Sequence, residues 1–156
     1  MSVQITLTNK KKRFPMEQLE DLNVEDCIDY IVVPDASNFE SIDAFCVMVK
    51  DNGPAGKRNV EILQFQMTVG QSHPIKHRGV LRVFKTIKDS LDTETHSFTN
   101  KVIFVVPEDK KNNYEKCQQV VTLKNGKSSS CNVFSKGNQY RLVVGNYDAI
   151  EDEGKP

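Results

Sequence analysis

Apolar residues recur along this chain in two rhythms, and the switch between them marks its elements. Residues 42–50, IDAFCVMVK, and 60–69, VEILQFQMTV, carry the dense apolar character of buried strands. The stretch between them, DNGPAGKRN, is turn chemistry from end to end, so 42–69 predict a hairpin with an open loop. Past GQSHP the period changes. Val80, Leu81, Val83, Phe84, Ile87 and Leu91 form one apolar stripe, with Arg78, Arg82, Lys85 and Lys88 lying away from it: an amphipathic helix of about four turns. DTETHSFTN then predicts a loop, and KVIFVV (101–106), stopped by Pro107, another buried strand.

Shorter signals frame this centre. EQLEDLN, with Leu19 and Leu22 three apart among acids, predicts a short helix, and CIDYIVV (27–33), closed by Pro34, a short strand. DASNFES reads as a loop. DKKNNYEKC reads as a short surface helix or loop, and CQQVVTL-KNGK-SSSCNVF as a hairpin turning at Asn125-Gly126. QYRLVVG (139–145) is a last strand. The strand–helix–strand passage over 60–106 implies a parallel pair joined by a right-handed crossover. The class is therefore α/β or α+β, a mixed central sheet flanked by helices. Its boundaries are a basic N-terminal tail over 1–13, a domain over 14–147 and an acidic C-terminal tail over 148–156.

Composition narrows the partners. The chain has 156 residues, enough for one domain with a real core, and a formal net charge of zero. Nucleic-acid binding must then come from a local basic patch, not from the whole molecule. No apolar run approaches a membrane span, and MSVQITLTNKKKRFP lacks the apolar segment of a secretory signal. Cys27, Cys46, Cys117 and Cys131 are scattered without a CxxC or zinc-finger spacing, and read as buried thiols of a reducing compartment. GPAGKR (53–58) and NGKSSS (125–130) both lack the glycine–lysine spacing of a phosphate-binding loop.

Three polar features stand out against this frame. In the strand over 60–69, Gln64, Gln66 and Thr68 share a face with Ile62, while Leu63, Phe65, Met67 and Val69 take the other. One polar face is ordinary for a sheet with one wet side. Asp43, in the neighbouring strand among apolar residues, makes this face more interesting. Asp43 and Gln66 on adjacent strands approach within about 5 Å, and their oxygens can converge on Mg²⁺, which takes one or two carboxylates and fills its octahedron with water. Such an ion activates a water and stabilises phosphoryl charge. Asp43 alone is equally a hydrated strand end or a cap on a backbone N–H. The third feature is the cationic run His73, Lys76, His77, Arg78, Arg82, Lys85, Lys88, which suits phosphate contacts or a solvated helix face.

The stretches YIVVPDASNFESIDAF (30–45) and LQFQMTVGQSHPIKHRGVLRVF (63–84), followed by VIFVVPED (102–109), resemble the retrotransposon hot spot proteins of trypanosomes and the related Crinkler-type effector C-terminal domains. The likeness rests on Tyr30, Pro34, Asn38-Phe39, Asp43-Ala44-Phe45, Gln66-Met67-Thr68 and His73, and covers roughly residues 27–109. It implies a restriction-endonuclease-like domain with a PD-(D/E)xK core. Asp43 then holds Mg²⁺ or Mn²⁺ with Gln66, Thr68 orients water or phosphate, and Lys76 stabilises charge. Gln64, His73, Arg78 and Arg82 contact substrate, and Glu17 or Glu20 assists from the first helix. The implied partner is nucleic acid, DNA ahead of RNA, and the implied location intracellular and nuclear, with a faint basic address at Lys10–Arg13.

The departures from that pattern define the alternatives. Gln66 offers a neutral amide oxygen where the family places an acid, and Thr68 stands where a lysine normally stabilises the phosphorane. The family's usual upstream NTPase domain is absent from this sequence, as in a detached C-terminal module. The expectation is thus a metal-dependent nuclease-like domain. The alternative is a non-catalytic effector or interaction module retaining the nuclease fold. A third reading has the polar face hydrogen-bonding internally while the protein acts through its surface in a complex.

Overall fold

The computed structural model describes residues 11–14, 16–35, 42–71, 74–114, 120–124, 127–130 and 139–144. Strands β1 (Lys11–Phe14), β2 (Ile31–Pro34), β3 (Ala44–Lys50) and β4 (Arg58–Met67) precede the two-residue β5 (Ile75–Lys76) and helix α1 (His77–Asp89). Strands β6 (His96–Pro107), β7 (Val120–Lys124), β8 (Lys127–Ser130) and β9 (Gln139–Val144) follow. Six strands form one mixed sheet in the order β1-β2-β3-β4-β6-β9, and β5-β7-β8 form a small second sheet. The hairpin β3–β4 is antiparallel, and β4 and β6 run parallel on either side of α1 in sequence. Strands β7 and β8 pair antiparallel as expected, while the expected turn at Asn125-Gly126 lies outside the described residues. The α+β class read from periodicity is the observed one.

Strand β3 begins two residues later than expected and β4 is shifted two residues earlier, and three larger differences arise where structure overrode local pattern. Lys11–Phe14 is a parallel edge strand on β2, so the basic run ends in the sheet and not in a tail. CIDYIVV is not one strand: Val24–Cys27 is a 3₁₀ turn and Asp29 takes φ 64°, so the extended run begins only at Ile31. His96–Asn100, read as loop, pairs in register with Arg58–Ile62 and lengthens β6 by five residues. EQLEDLN is helical, as the 3₁₀ segment Met16–Asp21. In the β3–β4 connection a Cβ on Gly53 would stand 2.2 Å from the Lys57 carbonyl oxygen, so that close approach requires glycine.

Strand alternation sends residues to two packed faces. On one, α1 and the 3₁₀ segments cover the sheet. Leu19, Leu22, Val24, Cys27, Val32, Phe45, Val47, Val60, Ile62, Val83 and Ile87 make one cluster. Ile42, Ile75, Val80, Val102, Phe104, Val106 and Tyr114 make a second. Helix α1 bridges the two, with Val80 in one and Val83 and Ile87 in the other. Each such buried aliphatic side chain contributes about 1.5–3 kcal/mol. The opposite face buries Ala44, Cys46, Leu63, Phe65 and Ile103. Burial, then the nearby carboxylates Asp29 and Glu61, push the Cys46 thiol up to about 11, which leaves it an unreactive apolar filler.

That second face also holds Glu61, 6% exposed. Its carboxylate accepts hydrogen bonds from Lys50 Nζ at 2.7 Å and from Lys101 Nζ, on the two flanking strands. The Lys101 ammonium in turn lies 5.3 Å from the Tyr140 ring centroid, which ties β9 to the same group. Burial pushes the Glu61 carboxyl up, but the two lysines outweigh it and hold its pKa below the usual 4.5. A depressed folded-state value means stabilisation that is complete above the unfolded pKa and is lost as pH falls through the folded one. Glu61→Gln should cost about 1–3 kcal/mol at neutral pH. In urea titrations the gap to wild type should narrow as pH drops below 4.5.

Candidate functional site

The polar row of β4 is not wet. Gln64 is fully buried, Gln66 is 4% exposed and Thr68 8%, because α1 and its flanking segments lie over this face. Buried amides need partners. Gln64 Nε2 donates to the Val80 carbonyl in the first turn of α1 at 3.0 Å and to Asn100 Oδ1 on β6 at 2.8 Å. Phe45 and Val102 are its strand neighbours, so Gln64 stands where the two apolar clusters meet. Gln64 Oε1, Asn100 Nδ2 and Gln66 Oε1 are buried without a hydrogen-bond partner among the described residues.

At the carboxyl end of β4 the ladder runs on past the last strand residue, Thr68 N–H donating to the Val105 carbonyl at 3.1 Å. The Thr68 hydroxyl meets Tyr114 OH at 3.1 Å and accepts from Gly70 N–H at 3.2 Å. Tyr114 OH also donates to the Gly70 carbonyl at 3.3 Å, and its ring packs against Phe104 with centroids 5.2 Å apart. Thr68 thus closes a turn. Asp43 is exposed and sits one residue ahead of β3. Its N–H donates to the Phe65 carbonyl at 2.9 Å, and its Oδ2 accepts from Met67 N–H at 2.7 Å. Of the two readings of Asp43, the backbone cap is the one observed. No hydrogen bond joins its carboxylate to the Gln66 amide.

The cations are distributed along α1. Lys76 is exposed at the helix N-cap, on β5 in the second sheet, and supplies no side-chain cap. Arg78, Lys85 and Lys88 are exposed, and among the described residues none of the three has an acidic partner within salt-bridge distance. Arg82 is different. Its Nε and Nη2 donate to Glu20 Oε1 at 2.8 Å and Oε2 at 3.0 Å. That fork holds the Glu20 pKa down and raises that of Arg82. Glu20 therefore faces α1 and not Asp43. His73 and the side chain of Glu17 lie outside the described residues.

As a Mg²⁺ centre this donor set fits poorly. It comprises one carboxylate, already accepting a backbone N–H, and one neutral amide oxygen. Among the described residues no three His, Cys, Asp or Glu side chains group to hold a metal. Two residues matter here that sequence reading passed over. Asn100 fell in a segment read as loop, and only the parallel register with Ile62 brings it to Gln64. Tyr114 was hidden in a charged surface stretch; a lone aromatic among DKKNN and EK was the available signal. No family model, no curated protein and no solved structure matches this chain.

Replacing Gln64 by Met should destabilise the protein by about 1–3 kcal/mol, because Asn100 Oδ1 is left buried and unpaired. Adding Asn100→Val removes that orphan, so the double variant should be more stable than Gln64→Met alone. Chemical denaturation of the four proteins of this cycle measures the coupling directly.

Proposed function

We propose that this chain is a non-catalytic binding module on a restriction-endonuclease-like sheet, and that it docks the phosphate backbone of a nucleic acid, DNA foremost, along the outer flank of α1. The architecture supporting it is a helical segment, an antiparallel β2-β3-β4 set, α1 and then a strand parallel to β4. This is the element order of the nuclease core that the sequence resembles.

One observation carries the reading: Asp43 and Thr68 are spent on the fold, while Arg78, Lys85 and Lys88 of α1 are exposed. Gln64 anchors α1, Thr68 closes a turn and Asp43 caps Met67. Arg78, Arg82 and Lys85 recur at i, i+4 and i+7, one stripe of the helix about 10 Å long. Point charges so arranged position a phosphate backbone without reading bases. A DNA partner would put the protein in the nucleus. The metal-dependent reading keeps one argument of its own, the unpartnered buried Gln66 Oε1 at the end of β4.

Arg78→Glu/Lys88→Glu tests the proposal by fluorescence anisotropy with a short labelled duplex across a salt series. The expected result is at least a tenfold loss of affinity, with the log–log salt slope reduced by about one per lost phosphate contact. Unchanged affinity would remove α1 from the interface. Plasmid cleavage in Mg²⁺ or Mn²⁺ that disappears in Asp43→Ala would establish the catalytic reading instead.

A further inference from the structure

Beside α1 runs an open cleft of about 380 Å³, lined by Glu20, Arg82, Lys85, Thr86, Asp89 and Ser90. Four of these, Arg82, Lys85, Thr86 and Asp89, fall at i, i+3, i+4 and i+7, so one side of the helix makes one wall. The other wall is Glu20, carried by the 3₁₀ segment Met16–Asp21. Its neighbour Leu19 is fully buried and fixes the backbone there, which leaves the Glu20 side chain as the part able to move.

The Arg82–Glu20 contact is a two-point fork at 2.8 and 3.0 Å, the geometry a guanidinium offers alike to a carboxylate and a phosphate. Both partners remain in water, Arg82 at 40% exposure and Glu20 at 58%. Exposed pairs of this kind are weak and exchange readily. Lys85 has no acidic partner among the described residues. Ser90 is committed, its hydroxyl donating to the Thr86 carbonyl at 2.7 Å. Among the described lining residues two cations, Arg82 and Lys85, stand with two carboxylates, Glu20 and Asp89, and displacing Glu20 shifts that balance by one positive charge.

We infer that this cleft is a phosphate subsite in which the Glu20 carboxylate stands in for the phosphate until a phosphodiester displaces it from Arg82, with Lys85 supplying the second positive charge. The subsite deepens the reading of α1 as a phosphate-docking flank and rests on it. Arg78 lies one turn before Arg82 on the same row, so the cleft opens onto that flank. Glu20 acts as a built-in competitor that weakens binding.

The test is Glu20→Gln, an exposed and nearly isosteric change whose folding is checked by its thermal midpoint. Against the labelled duplex it should bind about two- to fivefold tighter than wild type, the range expected for release of an exposed ion pair. The salt slope should steepen by about one. Glu20→Gln/Arg82→Gln should lose that gain. A second probe is inorganic phosphate, followed through the Arg82 Nε–Hε NMR resonance, which should shift and saturate at lower phosphate in Glu20→Gln than in wild type. Unchanged duplex affinity in Glu20→Gln, while Arg78→Glu/Lys88→Glu still loses binding, overturns the subsite and leaves the flank reading intact. An Arg82 resonance that phosphate does not move overturns the subsite whether or not the duplex binds.

Discussion

A side-chain amide sealed between a sheet and a helix has to find partners inside the protein, and Gln64 is where that constraint falls. Its Nε2 reaches the Val80 carbonyl on α1 and Asn100 on β6 at once, so one group ties together β4, its parallel neighbour and the helix above them. Apolar packing is not directional and would tolerate α1 sliding along the sheet. A buried hydrogen bond does not, since a shift of an ångström leaves donors and acceptors stranded. The position of α1 follows from that junction. With it come the division of the helix-side core into two clusters and the orientation of the basic flank.

The same constraint governs the polar residues at the end of β4 and ahead of β3. Apart from Gln66 Oε1, which has no hydrogen-bond partner among the described residues, the polar groups here turn to the backbone and to a neighbouring tyrosine. Asp43 accepts from Met67, and Thr68 joins Tyr114 and Gly70. A carboxylate so engaged, beside a neutral amide, supplies little charge for a divalent ion. The free electrostatic resource of this surface is cationic and lies on the other side of the helix. There Glu20 holds Arg82 while Arg78, Lys85 and Lys88 face solvent. On the far face of the sheet Glu61 does for the strands what Gln64 does for the helix, joining β3, β4 and β6 through Lys50 and Lys101.

Much of the frame was legible from pattern because each such element is dictated by its own residues. The stripe from Val80 to Ile87 has one amphipathic solution, and the apolar runs of β3 and β4, separated by a glycine- and asparagine-rich turn, have one pairing. Gln64, Gln66 and Thr68 were visible as an anomaly, yet the anomaly was compatible with a wet sheet face, a metal site or an internal network. Alternation says which residues share a side and is silent on what covers it. Resemblance named Asp43, Gln66, Thr68, His73 and cations of α1 as site residues, and of these His73 lies outside the described residues. The partners of the others were not foreseeable, because those lie far away in sequence, Tyr114 46 residues from Thr68 and Glu20 62 from Arg82.

What the amino-acid sequence determined by itself was therefore local: the helix, the central strands, the α+β class and the presence of a cationic helix face. Tertiary structure alone decided that Asp29 breaks the run before β2, that β6 begins at His96, and that Lys11–Phe14 joins the sheet. It alone turned the polar row of β4 inward and set Glu20 against Arg82. Each of these depends on a hydrogen bond or a register between segments distant in the chain, and no short-range pattern carries that information.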